Sequence, residues 1–324
     1  MMKPFVEIAK KEIRDALHNK LFLFILLMLL VLTVVSIVLG AYQVRISLDT
    51  YNNSIDFLKS LGKTELPPMP NLNPLAASKG FVNYIGMVGA LLAIVLGNTA
   101  IAKEQKSGTL RLILSRGVFR DMYLTGKLAG NLVILAGITL LTGLLTFVSL
   151  PIIGGITLTG DESLRLGLFF LMSFLYMTFF LILSMGIATI SAKGSRALLL
   201  TVIVWLVFSF VFPQIGDTMD MDNQLPGGFF AQMGMTRAQE QQVLQKFKFY
   251  ETLRNGIEEL SPTKHYERIS FALLNVKPGF ENNTPWEVVK LKWVNLVGLV
   301  IPSGVLWLLA YIGFLRRENI YQAV

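Results

Sequence analysis

Apolar and polar positions alternate along this chain on two length scales. On the long scale, charge-free runs of roughly 18 to 25 residues, the length at which a helix crosses a bilayer, alternate with charged stretches. There are six such runs, at about 21–41, 81–102, 128–150, 166–190, 198–215 and 293–315. On the short scale, the stretches beside them carry the period of an amphipathic helix. In KPFVEIAKKEIRDALHNKLF, Phe5, Ile8, Ala9, Ile13, Ala16 and Leu17 line one face, and Lys10, Lys11, Arg14 and Asp15 the other. A basic helix of this kind next to a span lies in the membrane interface with its apolar face in lipid; the blander alternative is a frayed tail.

The same period recurs from Thr236 to Leu260, at Val243, Leu244, Phe247, Tyr250, Leu253, Ile257 and Leu260, which predicts one helix. It restarts at Ser261-Pro262 with Tyr266, Ile269 and Leu273. These helices suit an external cap packed on the spans, or else a gate or docking surface. The chain is therefore expected to be an all-α polytopic membrane protein, a single transmembrane domain over 1–324. It has six spans, an N-terminal interfacial helix over 1–20 and a helical extracytoplasmic loop over 216–290.

Helix-start chemistry sharpens several boundaries. Asn73-Pro74 pairs a capping residue with proline at the first helical position, and Asp161 is a candidate cap for the fourth span. Thr284-Pro285-Trp286-Glu287 has the form of a capping box, so the last helix is expected to begin before its span. Glycines such as Gly86, Gly89 and Gly97 in the second span, and Gly137 and Gly143 in the third, suit either close helix packing or lipid contact.

Composition agrees with this pattern. Of 324 residues, 53% are hydrophobic and only 15% charged, against about 25% charged in an average soluble domain. With no cysteine there are no disulfides or thiolate metal sites, and His18 and His265 cannot form a histidine cluster. The first run is too long for a signal peptide, and Ala41-Tyr42-Gln43 is a poor cleavage site, so it reads as a retained anchor. The formal charge of +8 is a topology signal more than a nucleic-acid signal. Lys3, Lys10, Lys11, Arg14, Lys20, the six basic residues of 103–127, Lys193, Arg196, Arg316 and Arg317 share one side of a six-span map. The opposite short loops hold Arg45, Lys59, Lys63, Lys79 and Arg165. That asymmetry places both termini in the cytoplasm.

The spans hold no Asp, Glu, Lys, Arg or His, which argues against proton coupling at membrane depth. Their uniformly apolar surfaces suit an apolar or amphipathic cargo. No HExxH, GxSxG or Walker A pattern occurs, and Ser191–Ala197 lacks the first glycine of a phosphate loop. Asp217, Asp220 and Asp222 lack the glycine and glutamate of an EF-hand loop. Energy for uphill transport must then come from another chain. Besides a permease, a secondary transporter or channel and a non-transporting scaffold or sensor are the competing readings.

Between the second and third runs lies KEQKSGTLRLILSRGVFRDMYLTGK, with six Lys/Arg and two acids. KSGTLRLIL, residues 106–114, suits a short rigid helix in which Leu110, Ile113 and Leu114 form an apolar edge flanked by Lys106 and Arg111, and Gly117 is expected to break it. The plain alternative is an ordinary positively charged inner loop. This stretch resembles the E-x-x-x-G-T-L…L-S-R…R…K signature of type-2 ABC transporter permeases. IAKKEIRDALHNKLF resembles the opening helix of that family, and LSPTKHYERI its segment before the last span. The likeness spans essentially the whole chain; Gly117 stands where many relatives have proline, and His18 where arginine is usual.

The resemblance implies a permease that works as a dimer with a second copy of itself, each copy engaging a separate ATP-binding subunit. ATP and Mg2+ belong to that partner, so this chain is not expected to be an enzyme by itself. Residues 103–127 are the implied coupling segment. Glu104 and Arg120 orient it, Gly108 allows close approach, and Lys106, Thr109, Leu110, Arg111, Ile113 and Leu114 complete the contact. Lys10, Lys11, Glu12, Arg14 and Asp15 belong to the interfacial helix beside it, and the implied home is a prokaryotic inner membrane.

Overall fold

Each charge-free run forms a helix. The computed structural model describes residues 2–62, 75, 78–115, 119–154, 157–191, 193–220, 222, 228–276 and 279–316. In order, α1 (Met2–Leu17), α2 (Lys20–Ser60) and α3 (Lys79–Tyr84) precede a π-helical turn (Ile85–Gly89) and α4 (Ala90–Ser107). Then come α5 (Thr109–Ser115), α6 (Arg120–Gly154), α7 (Gly160–Ile190), α8 (Gly194–Leu206), a second π-helical turn (Val207–Val211) and α9 (Phe212–Met219). The remainder comprises α10 (Phe229–Gln232), α11 (Arg237–Lys246), α12 (Lys248–Glu259), α13 (Pro262–Leu273), α14 (Pro285–Leu291) and α15 (Trp293–Arg316). Among the described residues, six helices are long and apolar enough to cross a membrane: α2, Lys79–Ser107, Arg120–Ile153 within α6, α7, Gly194–Met219 and α15. The chain is an all-α polytopic membrane protein.

The second and fourth spans form the central pair, with 78% and 72% of their most apolar windows buried, against 17% for the fifth and sixth. Gly97 explains how they meet. A Cβ there would stand 2.5 Å from the Leu181 carbonyl oxygen and 2.9 Å from Ser184 Cβ, so only glycine lets the backbones approach. Ser184 Oγ uses that proximity to donate to the Ile94 carbonyl at 2.7 Å. Gly89 packs on Met177 and Gly143 on the Phe170 ring, whereas Gly86 and Gly137 meet nothing. The glycines thus divide between packing and open positions.

Several boundaries differ from the sequence expectation. The first span continues as one helix to Ser60, about 60 Å at 1.5 Å per residue, roughly twice the hydrocarbon thickness. Nothing between Ala41 and Ser60 breaks helical geometry, so the helix outlasts its apolar run. Asp161 does not cap the fourth span; Thr159 does, in a reciprocal box with Glu162, and Asp161 sits in the first turn. The Asn73-Pro74 cap and the Gly117 break lie outside the described residues. The Thr284 box with Glu287 and Pro285 is present, but it opens the short α14, which turns at Lys292 before α15 begins.

The loop before the last span departs most. The helix expected over Thr236–Leu260 is broken at Phe247 into α11 and α12. Phe247, Phe249, Leu253 and Leu260 are exposed, while another side of α12 packs on α9 at the end of the fifth span, where Glu258 meets Gly216. The more fully packed part is α13, whose Pro262, Thr263, His265, Tyr266, Ile269 and Leu273 are buried. Tyr266 stacks on Tyr176 of α7 with centroids 4.5 Å apart. Tyr176 donates its hydroxyl to the Gly86 carbonyl at 2.8 Å. Arg165, buried at the start of α7, ties down the chain after α13. Its guanidinium donates to Asn275 Oδ1 at 2.8 Å and to the carbonyls of Leu273, Phe280 and Asn283.

Candidate functional site

The charged segment between the second and third spans is built on a backbone break. α4 ends at Gly108, which has φ of 69° in the left-handed region, a conformation that side chains with a Cβ disfavour. α5 follows at once, and Ser107 and Thr109 share a hydroxyl hydrogen bond of 2.7 Å across the break. The chain therefore turns sharply between a central span and a short helix, and the single helix expected over 106–114 is broken at Gly108 because its left-handed φ ends the helical ladder.

Glu104, one turn before the break, is the hub of a buried ionic cluster. Lys127 of α6 is 1% exposed, and its Nζ lies 2.5 Å from Glu12 and 3.1 Å from Glu104. Lys11 of α1 and the Tyr123 hydroxyl of α6 both donate to Glu104. Asn131 completes the set, donating to Glu12 Oε2 at 3.3 Å. Two cations face two carboxylates, so the cluster is charge-balanced, which a buried ion pair requires. It joins α1, α4 and α6. Burial alone would lower the Lys11 pKa, but its hydrogen bond to Glu104 and the charges of Glu104, Asp15 and Glu12 outweigh that and hold it above the ordinary lysine value.

Neighbouring contacts extend the joint. Lys103 pairs with Asp15 at 3.0 Å, and Gln105 Nε2 donates to the Ala188 carbonyl of α7 at 3.2 Å. Tyr123 stacks on Phe314 of α15, and Arg120 Nη1 donates to the Leu315 carbonyl at 3.1 Å. Packing of α1 on α6 depends on glycine: a Cβ at Gly130 would stand 2.8 Å from the Ala9 carbonyl oxygen, and one at Gly126 3.2 Å from Ile8. Much of the α1 face assigned to lipid is therefore placed against α6.

The predicted residues separate into inward and outward sets. Glu12, Glu104 and Leu110 are buried, and Ile113 packs against the core. The apolar edge of α5 thus turns at least partly toward this chain's own bundle. Lys106, Ser107, Gly108, Ser115 and Phe119 are exposed. Thr109 is half-buried, and the Arg111 and Leu114 side chains lie outside the described residues. Lys10 pairs with Glu7 at 3.2 Å in solvent, while Arg14 offers its carbonyl to His18 Nδ1 at 2.7 Å. Tyr123, Lys127 and Asn131 were not singled out by sequence reasoning. Their i, i+4, i+8 spacing on one face of α6, opposite an acid in each of two neighbouring helices, was the available signal. Among the described residues, no group of three or more His, Cys, Asp or Glu is placed to hold a metal.

The described residues form a six-span helical bundle with a charged joint after the second span. Residues 6–319 match the model of the ABC-2 family transporter proteins, and the chain belongs to that family. Among individually curated proteins, none matches it. The chain is thus a multi-pass permease component of an ABC transporter, a class whose members generally pair with an ATP-binding subunit.

Proposed function

We propose that this permease is the transmembrane subunit of an ATP-driven exporter in a prokaryotic inner membrane. It works as a homodimer, each copy engaging a separate subunit that carries ATP and Mg2+. The carrying observation is the joint at Gly108, where an exposed segment meets a central span through a buried, charge-balanced cluster. The exposed Lys106, Gly108 and Phe119 are the surface offered to the ATPase. Glu104 and its partners make α1, α4 and α6 move as one body. Separating them would strand a charge in low dielectric, a cost of about 3–5 kcal/mol. Closure of two ATPase subunits pushes both segments and shifts the spans between inward- and outward-facing states. The basic residues around this joint support cytoplasmic placement of both termini.

Two variants test the reading in opposite ways, in the permease co-expressed with its ATP-binding subunit. Lys106→Glu combined with Phe119→Ala changes only exposed side chains, so the permease should insert normally but lose its ATPase on copurification. Glu104→Gln should keep the ATPase bound and lower transport-coupled ATP hydrolysis. Full copurification and full coupled hydrolysis in both variants would reduce the segment to a topological anchor.

A further inference from the structure

A cavity of about 860 Å3 opens at the end of the bundle that carries the α1 joint, enclosed by α1, the first residue of α2, the last turns of α4, and the starts of α6 and α8. Its carboxylates are engaged: Glu12 and Glu104 hold Lys127, and Asp15 holds Lys103. Lys20, Lys106 and Lys193 line it as well, and none has an ion pair with another described residue. The start of α8, at Gly194 and Ser195, has no side-chain cap and lines the cavity, which leaves N–H donors and a partial positive charge there.

Two amide oxygens in the same wall lack donors. Asn98, 7% exposed, has a buried Oδ1 with no hydrogen-bond partner, and Gln105 Oε1 is buried and unpartnered too. A buried acceptor left unmade is costly, so these oxygens indicate a ligand that brings donors. Three ammonium groups and an open helix start suit a phosphate, and two carbonyl oxygens suit hydroxyls. A phosphodiester bearing a polyol carries both.

The surroundings favour a lipid source over a soluble one. Directly beyond Lys20, Leu21 and Phe24 of α2 are exposed, and beyond Gly194 so are Leu199 and Leu200 of α8. Both helices pack on α4. Acyl chains attached to a headgroup in the cavity would meet these apolar surfaces. We propose that the cavity holds the headgroup of an acidic glycerophospholipid of the phosphatidylglycerol type. Its phosphate lies among Lys20, Lys106, Lys193 and the α8 start, and its hydroxyls donate to Asn98 and Gln105. The site uses this chain alone; Lys106 also belongs to the surface proposed for the ATPase, so the test changes Lys20, Lys193 and Asn98 and leaves Lys106 in place.

The test uses the purified full-length permease in detergent doped with equal dioleoyl-phosphatidylglycerol and dioleoyl-phosphatidylcholine. Native mass spectrometry reads the retained lipid, and thermal unfolding checks the fold. Wild type should retain phosphatidylglycerol with a several-fold preference, and Lys20→Gln with Lys193→Gln should abolish that preference. Asn98→Leu removes a stranded carbonyl, so the lipid-free protein should unfold no earlier than wild type. In a second mixture, of equal dioleoyl-phosphatidylglycerol and dioleoyl-phosphatidic acid, which lacks the glycerol hydroxyls, wild type should prefer phosphatidylglycerol and Asn98→Leu should lose that preference. Equal retention of the two lipids of either mixture by wild type, or an unchanged preference in either variant, would overturn the proposal. Displacement of the lipid by millimolar glycerol phosphate or inorganic phosphate would overturn its lipid source.

Discussion

Lys127 of α6 is 1% exposed. It is buried between two carboxylates from two other helices, so removing its charge leaves both acids under-neutralised. Lys127→Met is expected to destabilise the permease by about 3–5 kcal/mol, the usual effect of breaking a buried pair. Combining it with Glu104→Gln should recover part of that loss in a double-mutant cycle read by thermal unfolding. Strictly additive losses would mean the two side chains do not interact. Lys11 behaves differently with pH. Its pKa is raised, chiefly by Glu104 against the opposing effect of burial. Its stabilising contribution is therefore complete below the ordinary lysine value and lost only as pH rises through the raised one. A Lys11→Met variant and wild type should differ in stability at neutral pH and converge in strong alkali.

At the scale of elements, glycines give a paired prediction. Gly97→Ala places a methyl group against the Leu181 carbonyl. It should cost about 1–3 kcal/mol as the second and fourth spans are forced apart. Gly137→Ala meets nothing within 4 Å and, with the better helix propensity of alanine, should be neutral or mildly stabilising. Equal effects in the two variants, measured by unfolding in detergent, would contradict the close α4–α7 approach. Arg165 makes a second element-level case. Arg165→Met strands the carbonyls that follow α13, so amide exchange over 270–284 should accelerate while the joint around Glu104 stays protected.

For the whole molecule, topology and assembly are the quantities to measure. The chain has no cysteine, so single cysteines report cleanly. An impermeant thiol reagent applied to intact cells should label position 245 and spare position 105; the reverse would invert the map and remove the coupling proposal. Cross-linking in native membranes should trap a species of twice the monomer mass. A strictly monomeric permease with full transport would rule out the homodimer.

The order of the spans, the charged segment after the second and the Thr284 capping box could all be read from the sequence. They depend on local run length, charge and helix-end chemistry, which neighbouring residues determine. Gly108 reads in the sequence as a place of close approach inside one helix; that it ends α4 in the left-handed region was decided by the structure. Tertiary structure alone decided which glycines are contacts: Gly97 and Gly137 look alike in sequence and differ only in what stands opposite. It also decided that α13 is buried while α12 exposes its aromatic residues, although both carry the same amphipathic period, because periodicity defines a face without saying what covers it. The charge cluster belongs to this second group. Glu104 stands in the family-like signature and Glu12 in the interfacial helix, but nothing in the sequence pairs them with each other or with Lys127. Only the packing of α1 and α4 on α6 brings them out of water together, and it is loss of water that turns three separate charges into a joint.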